Sequence, residues 1–159
     1  MSSFTQAIQA ISDKLEVRLA QMSQDACTAA CECGLDMLSR SVQRAPIESG
    51  DLRSSGFVRV NGTTIGHGTS AGSVVAVSGT TEAEEVTVQI GYHYLPYLWR
   101  QHEDLTLRHD RTDGYRRKDG TTVNMVAGGQ AKFLESVAVE EIDRYRDYIQ
   151  EAARRGLER

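Results

Sequence analysis

The amino-acid sequence predicts an α+β fold in which a long N-terminal helix and a C-terminal helix pack on a small antiparallel β-sheet, with long glycine-rich and basic loops. Two observations lead to this fold class. Apolar residues recur at intervals of three and four positions near both ends of the chain, which is the pattern of amphipathic helices. Short apolar segments separated by glycine-rich turns occupy the middle, which is the pattern of antiparallel strands. The 159 residues suffice for one domain, so we expect a single domain over 1–159.

A long helix is predicted over residues 3–45, because no proline interrupts residues 4–44 and one helical stripe of apolar or small side chains runs through them. The stripe consists of Phe4, Ile8, Ile11, Leu15, Leu19, Met22, Ala26, Ala29, Cys33 and Met37. Pro46 disfavours helical geometry at Ala45, so the helix should stop there. Its length of about 60 Å exceeds what one small core can cover, so part of it is expected to pack on another subunit. The sequence leaves open a break near Gly34 that would give two helices within one monomer.

A small antiparallel sheet is predicted over residues 54–92. The strand candidates are the segments SSGFVRV (54–60), GSVVAVS (72–78) and EEVTVQIGY (84–92). In the last of them Val86, Val88 and Ile90 alternate with polar residues, as expected for a half-buried strand. The segment NGTTIGHGTSAG (61–72) is rich in glycine, and we interpret it as a flexible connection or the tip of a long hairpin.

The last third of the chain is predicted to contain an extended polar loop and a second amphipathic helix. Residues 106–129 include two Asp-Gly pairs, which favour the tip of a β-hairpin, and a loop of this length is usually functional or disordered. The helix is expected over residues 130–155, and the closing residues RRGLER are expected to fray. Its buried stripe should consist of Phe133, Leu134, Val137, Ala138, Ile142, Tyr145, Ile149 and Ala152.

Charge is distributed unevenly along the chain. The net charge is -4 at pH 7, which argues against a generic nucleic-acid coat. The segment 108–118 nevertheless carries five basic side chains against two carboxylates. Such a stretch is either a solvated loop or a docking surface for an acidic partner or phosphate. The candidate contact residues are Arg108, Arg111, Tyr115, Arg116, Arg117 and Lys118.

No residue pattern indicates a catalytic or metal site. The pair His102-Glu103 could open the zinc-binding pattern HExxH, but Thr106 stands where the second histidine is needed. Pairing His102 with His109 would supply only two ligands. The cysteines at 27, 31 and 33 lack a nearby fourth ligand and suit reduced, buried side chains better. We therefore predict no catalytic residue, no metal and no cofactor.

The sequence gives no sign of a leader or a membrane span. The first residues do not combine a basic segment with an apolar one, as a secretory signal would. No window approaches the ~18 apolar residues that a spanning helix needs. We therefore expect synthesis in the cytosol and no membrane partner.

Three short motifs follow one another along the chain. PIESGDLR (46–53) has the form P-x-[acid]-[S/T]-G-x-L-R, the tyrosines of YLPY precede the pair His102-Glu103, and Phe133-Leu134 opens the last helix. Through these motifs in this order the chain resembles the neck or tail-completion proteins of tailed bacteriophages, over about residues 5–145. The positions that carry the resemblance are Pro46, Gly50, Leu52, Arg53, Tyr94, Tyr97, His102, Glu103, Phe133 and Leu134. With this resemblance we expect Leu52 to begin the buried face of the sheet, and Arg53 to be free to pair with an acid on this chain or the next.

The resemblance implies a non-enzymatic structural subunit of the phage head–tail junction. Such subunits form a homo-oligomeric ring around the channel through which DNA leaves the head, usually of six copies, with twelve as the alternative. The implied neighbours are the connector or adaptor, the stopper, and the tail terminator or tube, while DNA passes without sequence-specific binding. The implied location is the virion, after synthesis in the host bacterial cytoplasm. The loop over residues 106–129 would face either the channel or a partner.

Two other functions are compatible with the residues. One is a cytosolic oligomeric module that binds nucleic acid through the basic segment 108–118. The other is a metal-dependent hydrolase that uses His102, Glu103 and His109. The order of the three motifs favours the neck protein over both.

Overall fold

The computed structural model describes residues 3–47, 50–77, 85–106, 115–116, 122–123 and 129–158. In these residues the order of elements is α1 (Ser3–Arg44), α2 (Asp51–Ser54), β1 (Gly56–Val60), β2 (Thr63–Gly68), β3 (Val74–Ala76), β4 (Val88–Tyr92), α3 (Leu98–Glu103), β5 (Tyr115–Arg116), β6 (Thr122–Val123) and α4 (Phe133–Glu158). Two long helices and a four-stranded antiparallel sheet confirm the predicted α+β class.

Helix α1 is continuous from Ser3 to Arg44, so the alternative of a break near Gly34 is wrong. Gly34 is buried where the helix crosses the sheet. A Cβ atom at this position would lie 2.7 Å from a methyl group of Val88 and 3.1 Å from one of Val58. Glycine therefore lets the helix approach the strands closely at a position where the sequence suggested an interruption.

The sheet has the strand order β3-β2-β1-β4, and all neighbouring strands are antiparallel. Strands β1 and β2 are joined by the two-residue turn of Asn61 and Gly62, whose φ angles are 49° and 84°. Positive φ at both positions is the geometry of a type I′ hairpin turn. The interpretation of residues 61–72 as a connection is therefore wrong, because they contain the central strand β2.

The main core lies between α1 and the sheet. Leu38 and Val42 of α1 are fully buried and pack against Val58 and Val60 of β1 and Ile65 of β2. Buried residues alternate with half-buried ones along β1, so one face of the sheet covers the helix.

Helix α4 runs antiparallel to α1 and packs on another of its faces. Near the start of α4, the guanidinium of Arg44 donates a hydrogen bond of 3.0 Å to the hydroxyl of Ser136. Near its end, Gly156 lies so close to α1 that a Cβ there would be 2.7 Å from the Cα of Met22. Helix α1 is therefore the central layer between the sheet and α4. The predicted bounds of 130–155 placed α4 three residues early at both ends. The prediction that the closing residues fray is wrong, because the helix continues to Glu158.

The predicted loop over 106–129 lies largely outside the described residues. Within it, the backbones of β5 and β6 pair in antiparallel register, with Tyr115 opposite Val123 and Arg116 opposite Thr122. The predicted contact residues Arg108, Arg111, Arg117 and Lys118 lie outside the described residues, and of Tyr115 and Arg116 only this pairing is established.

Candidate interaction surfaces

The three sequence motifs meet at one end of the molecule. Leu52 from the first motif and Phe133 from the third are buried together with Ala45, the residue that follows α1. Tyr92, Leu95, Leu98 and Leu134 surround them. The prediction that Leu52 begins the buried face of the sheet is wrong, because Leu52 lies in α2 and joins this second cluster. Motif residues that are far apart in sequence thus connect the ends of α1, β4, α3 and α4.

Phe133 is the centre of this junction. Its ring is fully buried and makes edge-on contacts with His102 at 4.8 Å and with Tyr92 at 5.0 Å between ring centroids. The backbone N–H of Lys132 donates a hydrogen bond of 2.7 Å to the carbonyl of His102. Aromatic contacts of this kind add to the free energy of burying the rings. The start of α4 is thereby tied to the end of α3.

Glu103 is held by two neighbours. Its carboxylate lies 2.7 Å from Nδ1 of His102 and pairs with the ammonium of Lys132, which also pairs with Glu135 at 2.8 Å. The hydrogen bond from Lys132, and after it the one with His102, lowers the pKa of Glu103. Within the described residues no group of three His, Cys, Asp or Glu side chains could hold a metal ion, and His109 lies outside them. In this arrangement His102 and Glu103 join α3 to α4.

The turn after α1 requires glycine at position 50. Pro46 follows the last turn of the helix, and Gly50 has a φ angle of 83°, in the left-handed region that glycine favours. A Cβ atom at Gly50 would lie 2.5 Å from the Cβ of Ser70. Both the backbone conformation and the close approach to Ser70 therefore exclude a larger side chain without displacement.

Arg53 caps the C-terminal end of α1. Its Nε donates a hydrogen bond of 2.9 Å to the carbonyl of Ala45, and Nη2 donates one of 3.1 Å to the carbonyl of Gln43. The side chain is only 7% exposed, and burial lowers the pKa of the guanidinium. Carbonyl groups at the end of a helix carry partial negative charge and stabilise a cation there. The expectation that Arg53 is free to pair with an acid on this chain or the next is therefore wrong.

A second network of polar side chains joins the middle of α1 to α4. Asp36 accepts hydrogen bonds from Arg40 at 2.9 Å and from the hydroxyl of Tyr145 at 2.8 Å, and it pairs with Arg144. Burial alone would raise the pKa of Asp36, but the hydrogen bonds from Tyr145, Arg40 and Arg144 outweigh it and lower the pKa. The network fixes how the two helices align along their length.

The cysteines are not joined to one another by disulfides, and none of them is part of a metal cluster within the described residues. Cys27 and Cys33 are buried and Cys31 is half-buried, as expected for small apolar residues. Burial raises the pKa of the Cys33 thiol. None of the helices in the described part of the chain combines the length and the apolar character that a membrane span requires.

Residues 94–105, which follow β4 and include α3, present several aromatic and apolar side chains to solvent. Tyr94 is 76% exposed and Trp99 is 67% exposed, while Tyr97 and Leu105 are also open. Aromatic residues are enriched in protein interfaces relative to the rest of a protein surface. The motif tyrosines thus lie outside the buried junction and form a candidate contact surface.

The N-terminal part of α1, residues 3–20, extends beyond the end of α4, and we call it the arm. Ile8, Ile11, Leu15 and Leu19 of the arm are between 52% and 59% exposed. Their spacing puts them on one face of the helix. A contiguous group of large exposed aliphatic side chains is typical of an interaction surface.

Helix α4 has a second apolar face that sequence reasoning missed. Val139 is 71% exposed and Ile142 is 58% exposed, so the prediction that Ile142 belongs to the buried stripe is wrong. Ile149, on the same helical face, is half-buried. The signal was present in the sequence, since these residues are displaced around the helix from the stripe of Phe133, Val137 and Ala152 that covers α1.

Comparisons with known proteins find no match to a protein-family model, to a curated protein or to a solved structure. The function therefore has to be inferred from the surfaces and motifs of the chain itself.

Proposed function

We propose that this chain is a structural subunit of the head–tail junction of a tailed bacteriophage. Several copies form a ring around the DNA channel and join the connector to the tail. The observation that carries the proposal is the arm, which exposes four large aliphatic side chains on a helix that continues past its own core. An isolated subunit gains nothing from this extension, whereas a subunit in an assembly buries it.

The energy available from covering the arm is considerable. Full burial of one aliphatic side chain stabilises an association by about 1.5–3 kcal/mol. The four side chains of the arm lie in one contiguous row, so a single partner helix would cover all of them. This arrangement supports an obligate partner over a chance exposure of apolar residues.

The junction of the three motifs supports an assembly role over catalysis. Arg53 fixes the end of α1, Phe133 fixes the start of α4, and the pair of His102 and Glu103 connects α3 to the start of α4. Each interaction sets the angle between rigid elements. A ring subunit depends on such angles, because small errors repeated around the ring prevent closure.

The negative charge of the chain is consistent with a channel through which DNA moves without being bound. The net charge is -4 at pH 7, so the body of the chain is acidic. An acidic channel wall would repel the phosphate backbone and reduce friction. The basic segment 108–118 would then dock on an acidic neighbour in the connector or tail.

Electron microscopy of the purified protein tests ring formation. We expect closed rings, of six copies by the resemblance, with a central opening. The Leu15→Asp variant provides a control, because it adds a charge to the exposed arm without touching the core, and it should give single subunits. Single subunits of the wild-type protein at every concentration tested would contradict self-assembly into a ring.

A further inference from the structure

The apolar face of the arm continues an interface that already exists within the subunit. Ala29 and Cys33 lie on the face of α1 that α4 covers, and both are buried. Steps of three and four residues lead from them back to Leu19, Leu15 and Ile11 on the same face. Helix α4 makes a close approach at Gly156, and from there the face is open as far as Ile8. The uncovered part of this face can therefore pack against a helix, as the covered part packs against α4.

A groove marks the step where α4 ends. It has a volume of about 570 Å³ and is lined by Asp13, Lys14, Val17, Arg18, Gln21 and Gly156. Within the described residues Lys14 and Arg18 form no ion pair, although they lie four residues apart on one flank of the arm. A covering helix with carboxylates along one edge would complement these two cations.

The outer face of α4 has the corresponding features. The side chains of Val139, Ile142 and Ile149 form an aliphatic row about 15 Å long. The row of the arm, from Ile8 to Leu19, has a similar length of about 16 Å. Arg146 lies between Ile142 and Ile149 in the row on α4 and pairs with Asp143 and Asp147 on one flank, so two carboxylates against one guanidinium keep a net negative charge there. Apolar extent and charge therefore match between two different surfaces of the same chain.

We infer that the arm of one subunit lies on the outer face of α4 in a second copy of this chain. The apolar rows face each other, and Lys14 and Arg18 lie beside Asp143 and Asp147. Because two different surfaces meet, the contact is heterologous and repeats from copy to copy, which gives a ring when the rotation between copies closes. The inference rests on the proposed ring function and deepens it by naming the two surfaces that join neighbours.

A reciprocal pairing of two arms is the main competing arrangement. In an antiparallel pair of arms, the flank with Lys14 and Arg18 of one arm faces the same flank of the other, so like charges meet. If the two arms paired in parallel, both copies of α4 would lie on the sides of the α1 helices that face each other. The two copies of α4 would then collide. Neither objection applies to the outer face of α4.

Two single substitutions test the contact by mixing. Leu15→Asp disables the arm, and Ile142→Asp disables the outer face of α4. Each affected side chain is more than half exposed in the subunit, so the fold should be retained, which circular dichroism and thermal unfolding can verify. Val75→Asp, at an exposed aliphatic position on the edge strand β3, is the matched control and should assemble as the wild type does.

Each disabling variant alone should weaken self-association at least about 30-fold, the loss expected for a central apolar anchor of an interface. Mixed together, the two variants retain one intact contact, between the arm of the Ile142→Asp chain and α4 of the Leu15→Asp chain. Sedimentation velocity and native mass spectrometry should then detect a dimer with one chain of each kind. No dimer on mixing would overturn the inference, and so would a homodimer of Ile142→Asp alone, which indicates paired arms.

Photo-crosslinking from position 15 gives an independent measurement on the full chain. With a mixture of ¹⁵N-labelled and unlabelled wild-type protein, crosslinked peptides should join one isotopic form of the arm to the other form of α4 near Ile142. Crosslinks between two arms, or a wild-type protein that remains monomeric, would overturn the inference. The position of the chain in the phage particle tests the proposed function separately, so failure of one is distinguishable from failure of the other.

Discussion

The guanidinium of Arg53 donates a hydrogen bond of 2.9 Å to the carbonyl of Ala45 and so closes the C-terminal end of helix α1. Because Arg53 is buried, its removal would leave helix carbonyls without a donor. We predict that Arg53→Ala lowers the free energy of unfolding by about 2–4 kcal/mol, measured by urea denaturation. Arg53→Lys should recover only part of this loss, because an ammonium lacks the planar donors that reach both carbonyls.

The control for this measurement is Arg154→Ala. Arg154 is exposed on α4 and, within the described residues, forms a salt bridge with Glu151 on the preceding turn, so its loss should leave the free energy of unfolding nearly unchanged. Equal effects of the two substitutions would show that the cap contributes no more than a surface ion pair.

Substitutions at Gly50 and Gly62 distinguish the cost of a left-handed backbone conformation from the cost of steric crowding. Both have φ angles near 84°, at 83° and 84°, but a Cβ at Gly50 would lie 2.5 Å from Ser70, whereas Gly62 has open space around it. Gly62→Ala should therefore cost about 1–2 kcal/mol from the left-handed conformation alone. Gly50→Ala should cost about 1–3 kcal/mol more, because Ser70 has to move. Thermal and urea unfolding measure the difference, and equal losses would contradict the close contact.

The lowered pKa of Asp36 leads us to expect a specific dependence of stability on pH. Its pKa is lower in the folded chain than in the unfolded chain, because Tyr145, Arg40 and Arg144 donate hydrogen bonds to the carboxylate. The stabilisation is therefore present above the unfolded pKa of about 4 and is lost as the pH falls through the folded value. The difference in unfolding free energy between wild type and Asp36→Asn should be largest near neutral pH and shrink in acid. A difference that is constant from pH 7 to pH 3 would contradict this.

Trp99 provides a spectroscopic test of the exposed aromatic surface. It is the only tryptophan of the chain and is 67% exposed in the single subunit. In the Leu15→Asp variant, which should remain a single subunit, its fluorescence should have the emission of a solvated indole and be quenched readily by acrylamide. Trp99→Ala should change the free energy of unfolding by less than about 0.5 kcal/mol. Emission typical of a buried indole would contradict this exposure.

The sequence predicted the two long helices and the fold class, because their signals are local, but not the short helices α2 and α3. Pro46 and the stripe of apolar residues determine where α1 runs and where it ends. The central strand β2 was missed because its glycines suggested a loop, although Asn61-Gly62 between two strand-like segments is a strong hairpin signal. The continuity of α1 was predicted, but the reason for a glycine at position 34 was not, since only the neighbouring strands explain it.

The roles of the motif residues depend on tertiary contacts that a single sequence does not specify. Arginine is usually a surface residue, yet Arg53 donates its hydrogen bonds to backbone carbonyls at the end of the preceding helix. Leu52 follows the turn like the first residue of a strand, yet a four-residue helix turns it toward Phe133. The exposure of the arm was anticipated from its length alone, because no core of this size could cover the whole helix.

The most direct test of a head–tail junction protein is its position in the particle. Antibodies raised against the purified chain and coupled to gold can be applied to intact and tailless particles of the phage that encodes it, and viewed by electron microscopy. We predict label at the neck, between head and tail. Particles that lack the chain, or label confined to the head shell or the tail tip, would contradict the account.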